Sequence, residues 1–190
     1  EGIEGQFFYQ KNFSNPPAWV ETIPVESEER VVNYVMANNL ETLIWSVNLG
    51  CIEIHPWLST RENLDFPTYI IFDLDPMAPA TFNDGVQVAL ALKSLTDHLN
   101  LQTFPKISGA TGIHIYLPIK PLYTYQETST FVKHLGEAVI KVLPELATNE
   151  RRVQDRTGKV YIDHLQNLKG KTIASVYSLR PFPGAPVSMP

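Results

Sequence analysis

A single cysteine, Cys51, stands among 190 residues. The chain therefore has no disulfide framework and no cysteine-based zinc site, and a reducing interior is the expected setting. No apolar run approaches the roughly 18 residues needed to span a bilayer, and the opening EGIEGQFFYQKN lacks the apolar core of a signal peptide. The expectation is a soluble, intracellular protein. Positive charge is in the minority: 15 basic residues against 20 acidic ones give a formal charge of −5, which offers no global attraction for nucleic acid or an anionic membrane. Any polyanion must be held by a local patch. The chain also opens without methionine and runs at once into FFYQ, which reads as a piece of a longer natural sequence.

What is present is enough apolar residue to bury one core, with no internal repeat or linker, so residues 1–190 read as a single domain. One basic span stands out: Arg151, Arg152, Arg156, Lys159, Lys169, Lys171 and Arg180 are interrupted only by Asp155 and Asp163. A solvated charged face would account for it as well as a binding surface.

The pattern of elements predicts strands at Phe7–Gln10, in CIEIHPW, in TYIIFDLDP, on either side of SGATGIH, and in KVYIDHL and TIASVYSLR. Helices are predicted from about Glu28 to Asn38, in ETLIWSVNLG with Gly50 as its C-terminal stop, and from Asn83 or Asp84, as the capping residue, to Leu99. Another follows Thr124 and Glu127, which form a T-x-x-E capping box; Pro144 ends it. Strands and helices alternate, with hairpin-like strand neighbours, so an α+β or α/β domain on a mixed sheet is expected.

Within FDLDP, strand alternation puts Asp73 and Asp75 on one face and Leu74 on the other. Two carboxylates released together at Pro76 make a hard oxygen site suited to Mg²⁺ or Mn²⁺, and a divalent ion would relieve their repulsion. An exposed strand end with solvated acids is the competing explanation. In VYIDHL, Asp163 follows three strand-forming residues and offers a third carboxylate from a neighbouring strand. His114 shares a face with Tyr116 beside the glycine turn, and His55 shares one with Glu53 and Cys51. Arg180, closing VYSLR, supplies a bidentate fork for phosphate oxygens. Gly109 and Gly112 in SGATGIH would serve an anion cradle or a plain hairpin turn.

The order HPW, FDLDP, K-x-SGxxGxH, YIDxLQN, YSLRxxPGAPVSxP resembles the polymerase domain of bacterial DNA ligase D, within the archaeo-eukaryotic primase superfamily. The likeness runs from Phe7 to the final proline. It implies an α+β primase-like core, with mixed, largely antiparallel sheets including an RRM-like element flanked by helices. Asp73, Asp75 and Asp163 then match catalytic, metal-binding positions for two Mn²⁺ or Mg²⁺ ions. His55, Ser108, His114, Gln166 and Arg180 match nucleotide-pocket positions. Phe7, Phe8, Lys106 and Arg156 match DNA or phosphate contacts. Relatives often carry lysine where this chain has Thr111, and the family's upstream basic residues have no counterpart here.

The implied activity is template-dependent addition of nucleotides, with a preference for ribonucleotides, to primer 3′ ends at gaps and double-strand breaks during non-homologous end joining. The implied partners are gapped or end-paired DNA with a 5′-phosphate, nucleoside triphosphates, a ligase domain or subunit, and Ku; the implied location is a bacterial or archaeal cytoplasm, near the nucleoid, with no membrane partner. Two other readings of the residues stay open: a D-x-D phosphohydrolase, although Met77 replaces the small hydroxyl residue such enzymes favour, and a non-catalytic nucleic-acid-binding module.

Overall fold

A computed structural model describes residues 8–13, 15–26 and 30–190. The chain divides into two compact units, residues 1–52 and 53–190. In the first, β1 (Thr22–Glu26) pairs antiparallel with β2 (Val31–Val35). The helix expected over 28–38 is thus a strand at Val31–Val35, with the other described residues of that span irregular. Val31, Val32 and Val35 are β-branched, and their pairing with β1 outweighs the weak helical spacing. Helix α1 (Leu40–Asn48) forms as expected: the Asn39 side chain accepts from the Thr42 amide at 2.8 Å, and Gly50 follows with a φ of 86°. Phe13 packs on Trp45 with ring centres 5.2 Å apart. Residues 8–10 are irregular rather than a strand, and Phe7 lies outside the described residues.

The second unit holds a five-stranded sheet ordered β4-β5-β3-β7-β6. Its strands are β3 (Tyr69–Pro76), β4 (Phe104–Ile107), β5 (Ile113–Pro118), β6 (Ala147–Thr148) and β7 (Val160–Asp163). All neighbours are antiparallel except the short β6, which runs parallel to β7. This is the α+β fold with a mixed, largely antiparallel sheet. Helices α2 (Phe82–His98) and α3 (Tyr125–Val142) cover one face, where Ile70, Phe72 and Leu74 meet Val88, Leu92, Val132 and Val139. On the other face Ile71 is buried against Leu58, Tyr125 and Ile173.

Both helix starts are held by capping boxes. The Thr124–Glu127 box is as expected, whereas α2 begins two residues earlier than the Asn83 predicted as its cap, at Thr81. Asp84 occupies the third helical position, and its carboxylate accepts from the Thr81 amide at 2.6 Å. CIEIHPW and TIASVYSLR run side by side without forming strands. Ser175 donates its amide to the Ile54 carbonyl at 2.8 Å, and the Ile54 amide goes to the Ser178 hydroxyl at 3.0 Å. Pro56 has no amide to donate and Tyr177 adopts a φ of 64°, so no regular ladder can continue.

Where β7 stops, the edge of β3 is completed by a side chain. The buried Asn167 carboxamide accepts from the Ile71 amide at 2.9 Å and donates to the Ile71 carbonyl at 2.7 Å, replacing a strand residue.

Candidate active site

The register of four strands lays out one row of ionisable side chains. Lys106 on β4 stands opposite His114 on β5, His114 opposite Asp73 on β3, and Asp73 opposite Asp163 on β7. Asp75, two residues along, stands opposite Tyr161. All six lie on the face away from the helices, because strand side chains alternate and Ile113, Leu74 and Ile162 between them fill the core.

Burial and mutual repulsion govern the acids. Asp73 is held well above the ordinary carboxylate range, first by burial and then by Asp75 and Asp163, despite the opposing pull of Lys106 and Arg180. Asp75 is raised by burial and by Asp163, with Arg156 and Arg180 opposing. His114 Nε2 lies 3.4 Å from Asp73 Oδ1, an ion-pair distance that does not meet hydrogen-bond geometry. Burial, then Lys106, Arg180 and His55, push the imidazole down to about 3, so it is neutral at pH 7 and this is not an ion pair. Among the described residues, Asp73 Oδ1 and His114 Nδ1 are buried without a hydrogen-bond partner.

Asp163 is held on one side only. Its Oδ1 accepts from the Tyr161 hydroxyl at 3.2 Å and from the Leu165 amide at 2.9 Å. Burial, followed by Asp163 itself, keeps the Tyr161 phenol up at about 12, so it remains a donor. The Arg156 guanidinium stacks 4.1 Å from the Tyr161 ring centre.

SGATGIH closes one end of the row. The Ser108 hydroxyl accepts from the amides of Ala110 at 3.1 Å and Gly112 at 3.0 Å, leaving its own proton to donate. A Cβ on Gly112 would fall 2.4 Å from the Leu74 carbonyl oxygen and 3.0 Å from Asp75 Oδ1; one on Gly109 would fall 2.8 Å from the Ser188 amide. Both glycines thus let the loop press against β3 and the C-terminal segment. Thr111 is exposed and, with Ala110, Pro76, Ala78, Ala80 and Phe82, lines a cavity of about 430 Å³.

Arg180 reaches back over this loop: its Nε donates to Glu53 Oε1 and its Nη1 to the Ser108 carbonyl at 2.7 Å. Glu53 Oε2 meets His55 Nε2 at 3.0 Å. His55, Ser108, His114 and Arg180 are therefore linked through short contacts or neighbouring strands. Lys106, matched by the resemblance to DNA contacts, is buried in the row instead, donating to the Ser188 hydroxyl; burial and Arg180 push it down to about 8. Gln166 donates to the Thr172 carbonyl at 2.6 Å. Phe8 is an exposed residue of the first unit. Sequence reasoning did not single out Glu53, Tyr161 or Ser188 as site residues. Glu53 is marked in the sequence only by sharing a strand face with His55, and Tyr161 only as one of the three strand-formers before Asp163.

The acids suit a hard divalent cation: three carboxylates stand together, Asp73 and Asp75 are raised by burial and by neighbouring acids, and one buried oxygen is orphaned. Among the described residues no three acidic, histidine or cysteine side chains close a metal cage by themselves. A cation here would complete its shell with water or ligand oxygens, as Mg²⁺ commonly does.

The whole chain, residues 1–190, matches the family described as LigD, primase-polymerase domain. It is 36% identical over 181 residues to the bifunctional non-homologous end joining protein LigD of Bacillus subtilis, covering 94% of this chain and 29% of that protein. It is 28% identical to the multifunctional LigD of Pseudomonas aeruginosa, covering 100% of this chain and 23% of the relative. The chain thus spans about a quarter of the length of these relatives. Its fold matches the polymerase domain of Mycobacterium tuberculosis ligase D, solved in complex with DNA, with a TM-score of 0.89 and 25% identity over 100% of this chain and 69% of that one. By its match along the whole length, the chain belongs to the LigD primase-polymerase domain family.

Proposed function

We propose that this domain is a template-dependent nucleotidyltransferase that extends primer 3′ ends at gaps and at paired double-strand-break ends in non-homologous end joining, with a preference for ribonucleotides. The observation that carries this reading is the Lys106–His114–Asp73–Asp163 row with Asp75 beside it, three acids and a cation side by side on one sheet face. Asp73, Asp75 and Asp163 would hold two Mn²⁺ or Mg²⁺ ions; when bound, such ions acidify the 3′-hydroxyl and neutralise charge on the departing pyrophosphate. The Ser108 hydroxyl proton and a neutral His114 N–H are donors for phosphate oxygens. Arg180 has two nitrogens committed to Glu53 and Ser108, which fixes the plane in which the third can meet a ligand. These groups orient the triphosphate for in-line attack by the primer hydroxyl. Gapped DNA, nucleoside triphosphates, and ligase and Ku functions acting on the same ends are the partners in this reading.

Primer extension on gapped DNA tests it, comparing ribo- and deoxynucleotides with Mg²⁺ and Mn²⁺. Asp73→Ala and Asp75→Ala should abolish extension while leaving a folded protein; near-normal extension by either would overturn the assignment.

A further inference from the structure

Tyr161 lies buried among the acids of the site face, at 4% exposure. Asp163 stands two residues along the same strand, and Asp75 is its cross-strand partner. Residues two apart on one strand are separated by about 6.8 Å, a gap that a tyrosine leaning along its strand can close. The phenol does so: its hydroxyl donates to Asp163 Oδ1 at 3.2 Å. Asp163 also caps the 3₁₀ helix His164–Asn167, and the Leu165 amide donates to the same oxygen at 2.9 Å.

We propose that Tyr161 is a positioning residue for a divalent cation: its hydroxyl and the Leu165 amide pin Asp163 Oδ1 and leave Oδ2 to the metal. The inference rests on reading Asp73, Asp75 and Asp163 as the metal ligands. Asp163 needs restraint, because it faces Asp73 in register and its partly buried side chain could relieve their repulsion by turning towards solvent. A single bond to Oδ1 lets the carboxylate swivel about it; a second donor on the same oxygen removes that freedom. Both donors use one oxygen, so the carboxylate is fixed without being saturated. The phenol is itself fixed, by its burial and by the Arg156 guanidinium stacked 4.1 Å from its ring centre. A shelf for Arg156 would need only the ring, which phenylalanine also supplies; the bond to Asp163 needs the hydroxyl. Groups that hydrogen-bond a metal's ligands change its affinity by about 10- to 100-fold.

The test is Mn²⁺ binding to the free protein, without nucleotide or DNA, read from the loss of the free ion's electron paramagnetic resonance signal. Tyr161→Phe keeps the ring and its stack with Arg156, and should bind Mn²⁺ at least about 10-fold more weakly while remaining folded by circular dichroism. In primer extension, the Mn²⁺ concentration giving half-maximal rate should rise by the same factor. Tyr161→4-fluorophenylalanine fills the place of the oxygen without donating; it should weaken binding equally, and it keeps the inference testable should Tyr161→Phe fail to fold. Wild-type Mn²⁺ affinity in either folded variant would overturn the proposal. Asp163→Asn separates it from the reading beneath: this variant should bind Mn²⁺ more weakly than either tyrosine variant. Loss in Asp163→Asn with wild-type affinity in Tyr161→Phe ends the positioning role alone. Wild-type affinity in Asp163→Asn ends the assignment of Asp163 as a ligand, and the role of Tyr161 with it.

Discussion

Asp73 and Asp163 face each other in register across β3 and β7, two acids brought together by the main-chain ladder rather than by any attraction between them. Burial raises Asp73, and Asp75 and Asp163 raise it further. The domain therefore carries an electrostatic strain that a cation would relieve.

The first prediction follows from that strain. Asp73→Asn removes one charge at constant shape, so the metal-free variant should melt about 2–4 °C above the wild type while losing extension. The sign is set by the raised value: in the wild type the folded state favours the protonated acid, so stability is lost as pH rises above the ordinary carboxylate range near 3.9. The gap between variant and wild type should widen from that pH upward. Mn²⁺ should raise the wild-type melting temperature and reverse the order; thermal melts with and without the ion measure it.

A second concerns Lys106, held near 8 by burial and by Arg180. A bound triphosphate favours the charged ammonium, so nucleotide binding should take up a proton and weaken as pH rises through 8, by at most about tenfold per unit. Calorimetry in buffers of different ionisation heat reads the proton uptake, and Lys106→Met should abolish it. The folding effect has the opposite slope: with a depressed folded value, the lysine's contribution to stability improves as pH rises from about 8 towards 10.5.

Thr111 gives a gain-of-function test. It is exposed within SGATGIH and lines the cavity beside Ala110 and Pro76. Thr111→Lys should lower the KM for nucleotide by about tenfold, the worth of one charge-assisted hydrogen bond, and the gain should shrink as salt rises. Steady-state extension at two ionic strengths would show it.

Asn167 offers a stability test independent of chemistry. Asn167→Ala strands both the amide and the carbonyl of Ile71 in the interior, at a cost of about 2–4 kcal/mol. Chemical denaturation should show the loss.

The site was more legible in the sequence than the scaffold around it. Strand alternation put Asp73 and Asp75 on one face, and the three β-formers before Asp163 placed it on a strand; both features are local and survive folding. The row itself was not readable, because register between β4, β5, β3 and β7 depends on pairing across distant segments. The strand expected in TIASVYSLR failed for a related reason: its residues favour extended structure, but their partner around Ile54 is interrupted by Pro56, and Tyr177 turns the chain. The helix expected over 28–38 lost to long-range pairing with β1. Ser108 was legible as a candidate site residue, though not its double acceptance from the loop amides, which depends on how the turn folds back on itself.

Asp163 and Asn167 are both tied to β3, one opposite Asp73 and the other bonded to Ile71. Four residues of 3₁₀ helix, about 8 Å, are thereby matched against two residues of strand, about 7 Å. The interval acts as a gauge: adding or removing one residue would release either the anchor or the acid. The spacing D-x-x-x-N is thereby itself a component of the site.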